Sequence, residues 1–154
     1  MEILVFTLDA QHYGLVAHDV VQVFRLVAIT RLPGAPLVIE GAIDVRGDII
    51  PVLDLRRRFG LPERPPGLSD LLIIASAGPR RVAIRADAHA GVQQIDATAL
   101  SRSDDPLSQS RFVAGLARLR DGMVVIQDLV RFLSEAESES LARALAEKQS
   151  QHVA

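Results

Sequence analysis

Short apolar runs separated by turn-forming residues follow one another along most of the chain. Runs of this length that are rich in Val, Ile and Leu predict β-strands. In the first half they are Ile3 to Leu8, Tyr13 to Ala17, Val20 to Ile29, Val38 to Val45 and Ile49 to Leu53. The connections Asp9-Ala10-Gln11 and Arg46-Gly47-Asp48 are short and turn-rich, so they predict tight hairpins.

Short helices are predicted where an aspartate follows a strand. Asp54 precedes a run of six residues that ends in Gly60, so the carboxylate can cap the helix and the glycine can end it in the left-handed conformation. Asp128 heads a similar run near the end of the second half. Each half is therefore expected to end in a short capped helix.

A longer helix is predicted at the C-terminus. Ser134 and Glu137 have the spacing of a capping box, and strong helix formers follow them to about Gln149. Leu141 and Leu145 lie one turn apart on a narrow apolar stripe. We expect the helix to dock on the body through these leucines, although the same stripe could contact a partner.

The chain contains a weak copy of itself, which indicates a duplicated unit. Gly41 to Arg57 and Gly115 to Arg131 align without gaps and share Gly, Arg, Asp-Leu and Arg in register. Upstream, Ile3 to Leu8 resembles Leu71 to Ser76, and Tyr13 to Val23 resembles Val82 to Val92. A long period that occurs only twice predicts a pseudo-twofold pair of small barrels with about five strands each. We assign 1–68 to the first barrel module with its crossover, 69–133 to the second, and 134–154 to the C-terminal helix and tail.

Composition and charge narrow the classes of function. The 154 residues carry a net charge of −2, which disfavours nucleic acid as a partner, and the arginines at 56 to 58, the one basic run, are expected to be solvated. The absence of cysteine excludes disulfides and thiolate metal sites. No apolar run is long enough to span a membrane, so we expect no direct membrane insertion and a cytoplasmic protein.

The sequence offers no constellation that would support catalysis. It contains no P-loop, no Rossmann glycine pattern and no Gly-x-Ser-x-Gly, and its four histidines have no metal-binding spacing. Asp54 and Asp128 could suggest a carboxylate dyad, but leucine follows each of them, so helix capping explains both better. We predict no enzyme, no cofactor and no metal. Arg46 at a hairpin tip can stay solvated, pair with the local carboxylates of Asp44 or Asp48, or recognise a partner's carboxylate or carbonyl oxygens.

Several motifs together resemble the CheW-like adaptor family of bacterial chemotaxis, from Ile3 to Leu133. They are Leu4-Val5-Phe6-Thr7-Leu8, Tyr13-Gly14-Leu15, Gly41 to Gly47, Ile50 to Arg56 and Phe112-Val113-Ala114-Gly115-Leu116. The family's most specific signature is an Asn-Leu-Arg-Gly hairpin followed by Val-Pro-Val-Ile-Asp-Leu-Arg. This chain carries it as Asp-Val-Arg-Gly and Ile-Pro-Val-Leu-Asp-Leu-Arg.

The resemblance implies a mostly β fold of two SH3-like five-stranded β-barrels, related by internal duplication, with short capping helices and a C-terminal helix. It also implies a function without catalysis. Such proteins couple the cytoplasmic tips of chemoreceptors to the regulatory domain of a CheA-type histidine kinase, which has the same double-barrel fold. Two alternatives stay open: a coupling protein of a non-chemotaxis array, for surface motility or biofilm signalling, and a small-ligand sensor that uses the groove between the barrels.

The resemblance also implies the protein-binding positions. They are Val20, Gln22, Gly41, Asp44, Arg46 and Gly47 on the first module, and Leu72, Ala83 and His89 on the second. Three of these depart from the family pattern. Gln22 stands where glutamate is common, Asp44 replaces asparagine, and His89 replaces an aliphatic residue. With Gln22, an ion pair to Arg46 becomes at best a neutral hydrogen bond.

Overall fold

The computed structural model describes residues 1–95, 100–101, 113–119 and 122–153. The strands of these residues are β1 (Glu2–Leu8), β2 (Gln11–Val16), β3 (Val20–Arg25), β4 (Ile39–Val45), β5 (Asp48–Leu53), β6 (Leu71–Ala77), β7 (Arg80–Ala86), β8 (Ala88–Gln94), β9 (Leu100–Ser101), β10 (Val113–Leu119) and β11 (Gly122–Gln127). The α-helices are α1 (Leu55–Phe59) and α2 (Glu135–Val153), and Ala17–Asp19 forms a 3-10 turn. The expected mostly β fold with a C-terminal helix is confirmed.

The strands form two sheets of similar design. The five-stranded sheet has the order β3-β6-β7-β5-β4 and lies within residues 20–86; we call it the middle barrel. The other sheet has the order β8-β1-β2-β11-β10-β9 and combines residues 2–16 with 88–127; we call it the terminal barrel. In the middle barrel, the chain after the edge strand β3 reaches the other edge strand, β4, through a bridge from Thr30 to Ala42. In the terminal barrel, the short strand β9, which follows the edge strand β8 in the chain, pairs with β10.

The barrels do not coincide with the sequence halves, which corrects the expected division into 1–68 and 69–133. The strands β1 and β2 pair with β8 and β11 of the second half, while β6 and β7 pair with β3 and β5 of the first. The halves therefore exchange strands. The repeat in the sequence predicts which strands exist, but a local pattern does not specify the distant strand with which each one pairs.

The exchange is reciprocal, so the expected duplication is visible in the pairing. Each sheet contains one parallel pair, β2 with β11 and β5 with β7. The hairpin β4–β5 has a register shift between Ile39 and Gly41, and the hairpin β10–β11 has one between Val113 and Gly115. This correspondence relates each position in the first half to a position in the second by a pseudo-twofold operation.

Apolar side chains on both faces of the strands form three clusters. A seam core between the barrels includes Phe6, Leu15, Ile73 and Ile84, all fully buried. A smaller cluster fills each barrel. Strands with two buried faces carry continuous apolar runs rather than an alternating pattern, as the sequence shows.

The hairpins and helix caps follow the sequence closely. Asp9 and Ala10 have positive φ between β1 and β2, which is the backbone of a two-residue hairpin turn. The Arg57 backbone N–H donates to Asp54 Oδ1 over 3.0 Å, and Gly60 ends α1 with φ of 70°. Asp128 Oδ1 accepts a hydrogen bond from the Arg131 N–H, but these residues form a turn and not the expected helix.

The C-terminal helix docks as expected. Glu137 N–H donates to Ser134 Oγ over 3.1 Å, and Ser134 N–H donates to Glu137 Oε1 over 2.8 Å, which completes the capping box. Leu141 is fully buried in the seam core and Leu145 packs against it. Neither helix of the described chain has a stretch that is both long and apolar enough to span a membrane.

Replacement of Gly41 by alanine should destabilise the fold. The added β-carbon would lie 2.5 Å from the Thr30 carbonyl oxygen and 2.7 Å from Ile29 Cγ2, where Thr30 forms a bridge to Ala42 of β4. We expect Gly41→Ala to lower the free energy of unfolding by about 1–3 kcal/mol in a denaturant titration. Gly67→Ala is the matched control, because its β-carbon would meet only Asp70 at ordinary contact distance. Equal stability of the two variants would contradict this role of Gly41.

Candidate protein-interaction surface

The tip of the β4–β5 hairpin presents an arginine to solvent. Arg46 and Gly47 both have positive φ, at 53° and 90°, as the two-residue turn requires. Asp44 Oδ1 accepts a hydrogen bond of 2.8 Å from the Gly47 N–H, which fixes the turn from one side. The guanidinium of Arg46 has no hydrogen-bond or ion-pair partner among the described residues. Asp44, Arg46 and Gly47 therefore form an exposed and ordered tip.

A partly apolar strip lies on β3, the other edge strand of the same sheet. β3 has a register shift between Val20 and Gln22, and Val21 at this shift is 46% exposed. Gln22 is exposed, while Val20 is half-buried against the seam core. Val27, just beyond β3, is 45% exposed. We call these four residues, Val20, Val21, Gln22 and Val27, the β3 strip.

Three of the expected contact residues do not lie on the surface. Leu72 and Ala83 are fully buried inside the middle barrel, where they pack in the cluster around Val52, so they cannot touch a partner in this fold. Gly41 is buried against the segment that contains Thr30, and its role is close packing. The main chain of His89 pairs with Phe6, and its side chain lies outside the described part of the structure.

A network of ion pairs, which the sequence did not reveal, holds the crossover segment 61–70. The Arg56 side chain is only 5% exposed and contacts Asp9 at 2.9 Å and Asp87 at 2.8 Å. The basic run had suggested that Arg56 is solvated. This expectation is wrong, because the side chain is buried and paired with two carboxylates. Arg64 of the crossover contacts Asp87 at 2.8 Å and also pairs with the fully buried Asp70.

Arg85 extends the network along β7. Its guanidinium contacts Glu40 at 2.8 Å and Asp70 at 3.0 Å, and it donates to the Arg64 carbonyl oxygen. Because a buried guanidinium has to be paired, each of these contacts favours one position of the crossover. Burial raises the pKa of Glu40 despite the nearby charge of Arg85.

The network borders a cavity of about 790 Å³ between the segment 29–40, α1 and the crossover. The arginines in its wall at 56, 57, 64 and 85 are already paired with carboxylates of the chain. No group of three or more metal-ligating side chains occurs within the part of the chain that the structure describes. A fifth arginine of the wall, Arg31, is exposed and has no ion pair among the described residues, so these residues offer the cavity one unpaired cation and not a set of them.

Two strand-exchanged barrels thus carry an exposed hairpin tip and a partly apolar strip on an edge strand. The family model of the CheW-like domain matches residues 2–137. The chain therefore belongs to the CheW-like domain family, as the sequence motifs had indicated.

Comparison with individual proteins gives the same result. The chain is 27% identical over 138 residues to the chemotaxis protein CheW of Klebsiella aerogenes, covering 88% of this chain and 83% of that one. It is 30% identical over 94 residues to Protein FrzA of Myxococcus xanthus, covering 61% and 59% of the two chains. The crystal structure of scaffolding protein TtCheW from Thermoanaerobacter tengcongensis superposes with a TM-score of 0.79 at 34% identity, covering 88% of this chain and 94% of that one.

The network predicts acid sensitivity. Burial alone would raise the pKa of Asp87, but hydrogen bonds from the Asp9 N–H and Arg56, with the charges of Arg56 and Arg64, hold that pKa below 3.8. A carboxyl whose pKa is lower in the folded state stabilises the fold above its unfolded pKa, and this contribution is lost as pH falls through the folded pKa. We expect Asp87→Asn to be about 1.5–3 kcal/mol less stable at neutral pH.

As the pH falls from about 5 to about 3, Asp87→Asn should lose less stability than the wild type, as measured by thermal unfolding. Asp48→Asn, at an exposed carboxylate without an ion pair among the described residues, is the control and should follow the wild type. An Asp87→Asn protein with the pH profile of the wild type would show that the network is not the source of the acid sensitivity.

Proposed function

We propose that this chain is a cytoplasmic, non-catalytic adaptor of chemotaxis signal transduction. It couples the cytoplasmic tips of chemoreceptors to the regulatory domain of a CheA-type histidine kinase. The observation that carries the proposal is the family signature hairpin, which this chain presents as an exposed tip whose Arg46 guanidinium has no partner among the described residues. The names of the similar CheW proteins support the same assignment.

The surface chemistry suits a protein partner. Interfaces commonly combine an apolar patch with an arginine that fixes orientation. Here the exposed fractions of Val21 and Val27 supply apolar area, and Arg46 supplies a planar group that can donate two hydrogen bonds to a carboxylate. The bridge from Thr30 to Ala42 joins the chain after β3 to the strand that leads to the tip, so the strip and the tip belong to adjoining edges of one barrel.

The departure at Gln22 changes the charge available to a partner. A glutamate at this position, as is common in the family, would offer Arg46 a carboxylate within the chain. Gln22 is neutral and exposed, and Arg46 has no ion pair among the described residues. The partner surface that meets the tip is therefore expected to carry an acidic residue in this position.

A second candidate is a CheW-like coupling protein of a non-chemotaxis array. The similarity to Protein FrzA shows that relatives of this chain also occur under names other than CheW. The departures at Gln22, Asp44 and His89 would then fit a different receptor. The two candidates share the adaptor mechanism and differ in the receptor and kinase that they connect, so binding measurements with each kinase of the same cell distinguish them.

Replacement of Arg46 by alanine should weaken kinase binding without loss of the fold. Calorimetric titration with the regulatory domain of a CheA-type kinase from the same cell should give saturable binding near micromolar for the wild type. Loss of an interface arginine that is bound to a carboxylate should raise Kd about 5- to 150-fold, equivalent to about 1–3 kcal/mol. The thermal midpoint of Arg46→Ala should stay that of the wild type, because the side chain is exposed.

Arg143→Ala is the matched control, because Arg143 is an exposed arginine on α2, outside the tip and the β3 strip. It should bind like the wild type. Unfolding of Arg46→Ala, or equal Kd values for Arg46→Ala and Arg143→Ala, would count against the tip as the contact. Failure of the wild type to bind any such kinase would contradict the adaptor function itself.

A further inference from the structure

A second apolar surface lies at the opposite end of β5 from the Arg46 tip. A groove of about 230 Å³ opens between the β6–β7 hairpin and the turn before α2; we call it the β7 groove. Its lining residues are Leu53, Ala77, Pro79, Arg80, Val82, Leu129, Val130, Leu133 and Ser138. Val130, at the border of the groove, is 68% exposed and extends its apolar surface.

The pseudo-twofold relation shows why the groove is open. In the strand pairing Val82 occupies the position of Tyr13, because Val82 faces Ala75 on β6 as Tyr13 faces Phe6 on β1. In the first half the equivalent space is filled by the ring of Tyr13, which packs on Phe59 with centroids 5.4 Å apart. In the second half a valine and the smaller side chain of Leu133, which corresponds to Phe59, leave the space empty.

The covering of the two sites differs as well. Arg56 closes the first-half site through its ion pairs with Asp9 and Asp87 and its hydrogen bond to the Pro62 carbonyl oxygen. The aligned position in the second half is Val130, which cannot make such contacts. The crossover therefore covers one of the two equivalent sites, and within the described residues the other site stays open.

The charge around the β7 groove indicates what could cover it. Arg80 lines the groove, and Arg131 directly follows the lining residue Val130. Neither of these two side chains has an ion pair or side-chain hydrogen bond among the described residues. An occupant that buries an aliphatic side chain in the groove would place its neighbouring residues beside the positive charge of Arg80.

We propose that the β7 groove binds a short acidic segment of a partner protein. One or two leucine-like side chains of this segment occupy the groove, and its carboxylates pair with Arg80 and Arg131. The five residue steps of β5 between Asp48 and Leu53 separate this site from the Arg46 tip by about 17 Å, so both can be occupied at once. The inference does not depend on the adaptor function, and the two sites share no residue.

The test is a titration of the full chain with the peptide acetyl-Glu-Leu-Leu-Glu-amide, followed by NMR of the leucine and valine methyl groups. We expect chemical shift changes that saturate with a Kd of about 0.1–1 mM. The largest changes should occur at the methyl groups of Leu53, Val82, Leu129 and Leu133. Arg80→Glu should weaken binding about fivefold or more, and the peptide acetyl-Lys-Leu-Leu-Lys-amide should not bind. Arg143→Glu, with the same charge change on an exposed part of α2, should bind like the wild type.

Two variants remove the groove in different ways. Val82→Tyr supplies the ring that fills the equivalent site in the first half, and Val130→Asp adds a repelling carboxylate at an exposed position that the core does not require. Both variants should abolish the chemical shift changes on addition of the peptide. If Val82→Tyr does not fold, the result for Val130→Asp decides the test.

Equal binding of the acidic and basic peptides, or shifts of wild-type size in Val130→Asp, would overturn the proposal. Concentration-dependent dimerisation of the wild type that Val130→Asp abolishes would also overturn it, because a second copy of the chain would then be the occupant.

Discussion

The exchange of strands between the two halves is the constraint on which the rest of the structure depends. β1 and β2 complete a sheet only with β8 and β11, and β6 and β7 only with β3 and β5. Neither half can form its own sheet in this arrangement. The strands that cross over also carry the seam core, in which Phe6, Leu15, Ile73 and Ile84 are fully buried. Backbone pairing and apolar burial thus fix the same relation between the barrels.

The polar contacts secure the segments that the exchange leaves outside the sheets. The crossover is bound through Arg56 and Arg64, and Arg58 of α1 contacts Glu137 at 2.7 Å and stacks over the Phe132 ring at 5.1 Å, which links α1 to the start of α2. With its body fixed in this way, the chain presents the Arg46 tip at one end of β5 and the β7 groove at the other.

Strands, hairpins and helix caps could be predicted because they depend on neighbouring residues. The strand exchange could not be predicted, because the repeat does not specify the strand with which each strand pairs. The family resemblance placed Leu72 and Ala83 among the contacts, and the sequence did not correct this because strands buried on both faces lack the alternation that marks a surface. Arg56 looked solvated because its partners, Asp9 and Asp87, are distant in the sequence. The Arg46 tip was predicted correctly as a turn, because glycine and the short connection specify it locally.

The measurement that tests the account most directly is reconstitution of receptor control over kinase autophosphorylation. A CheA-type kinase and receptor-containing membranes from the same cell are combined with and without this chain, and phosphate incorporation is followed before and after addition of the receptor's ligand. The account predicts that the ligand changes the rate of autophosphorylation only when the chain is present. A response to the ligand that is the same without the chain, or no response with the folded chain at saturating concentration, would contradict the adaptor function.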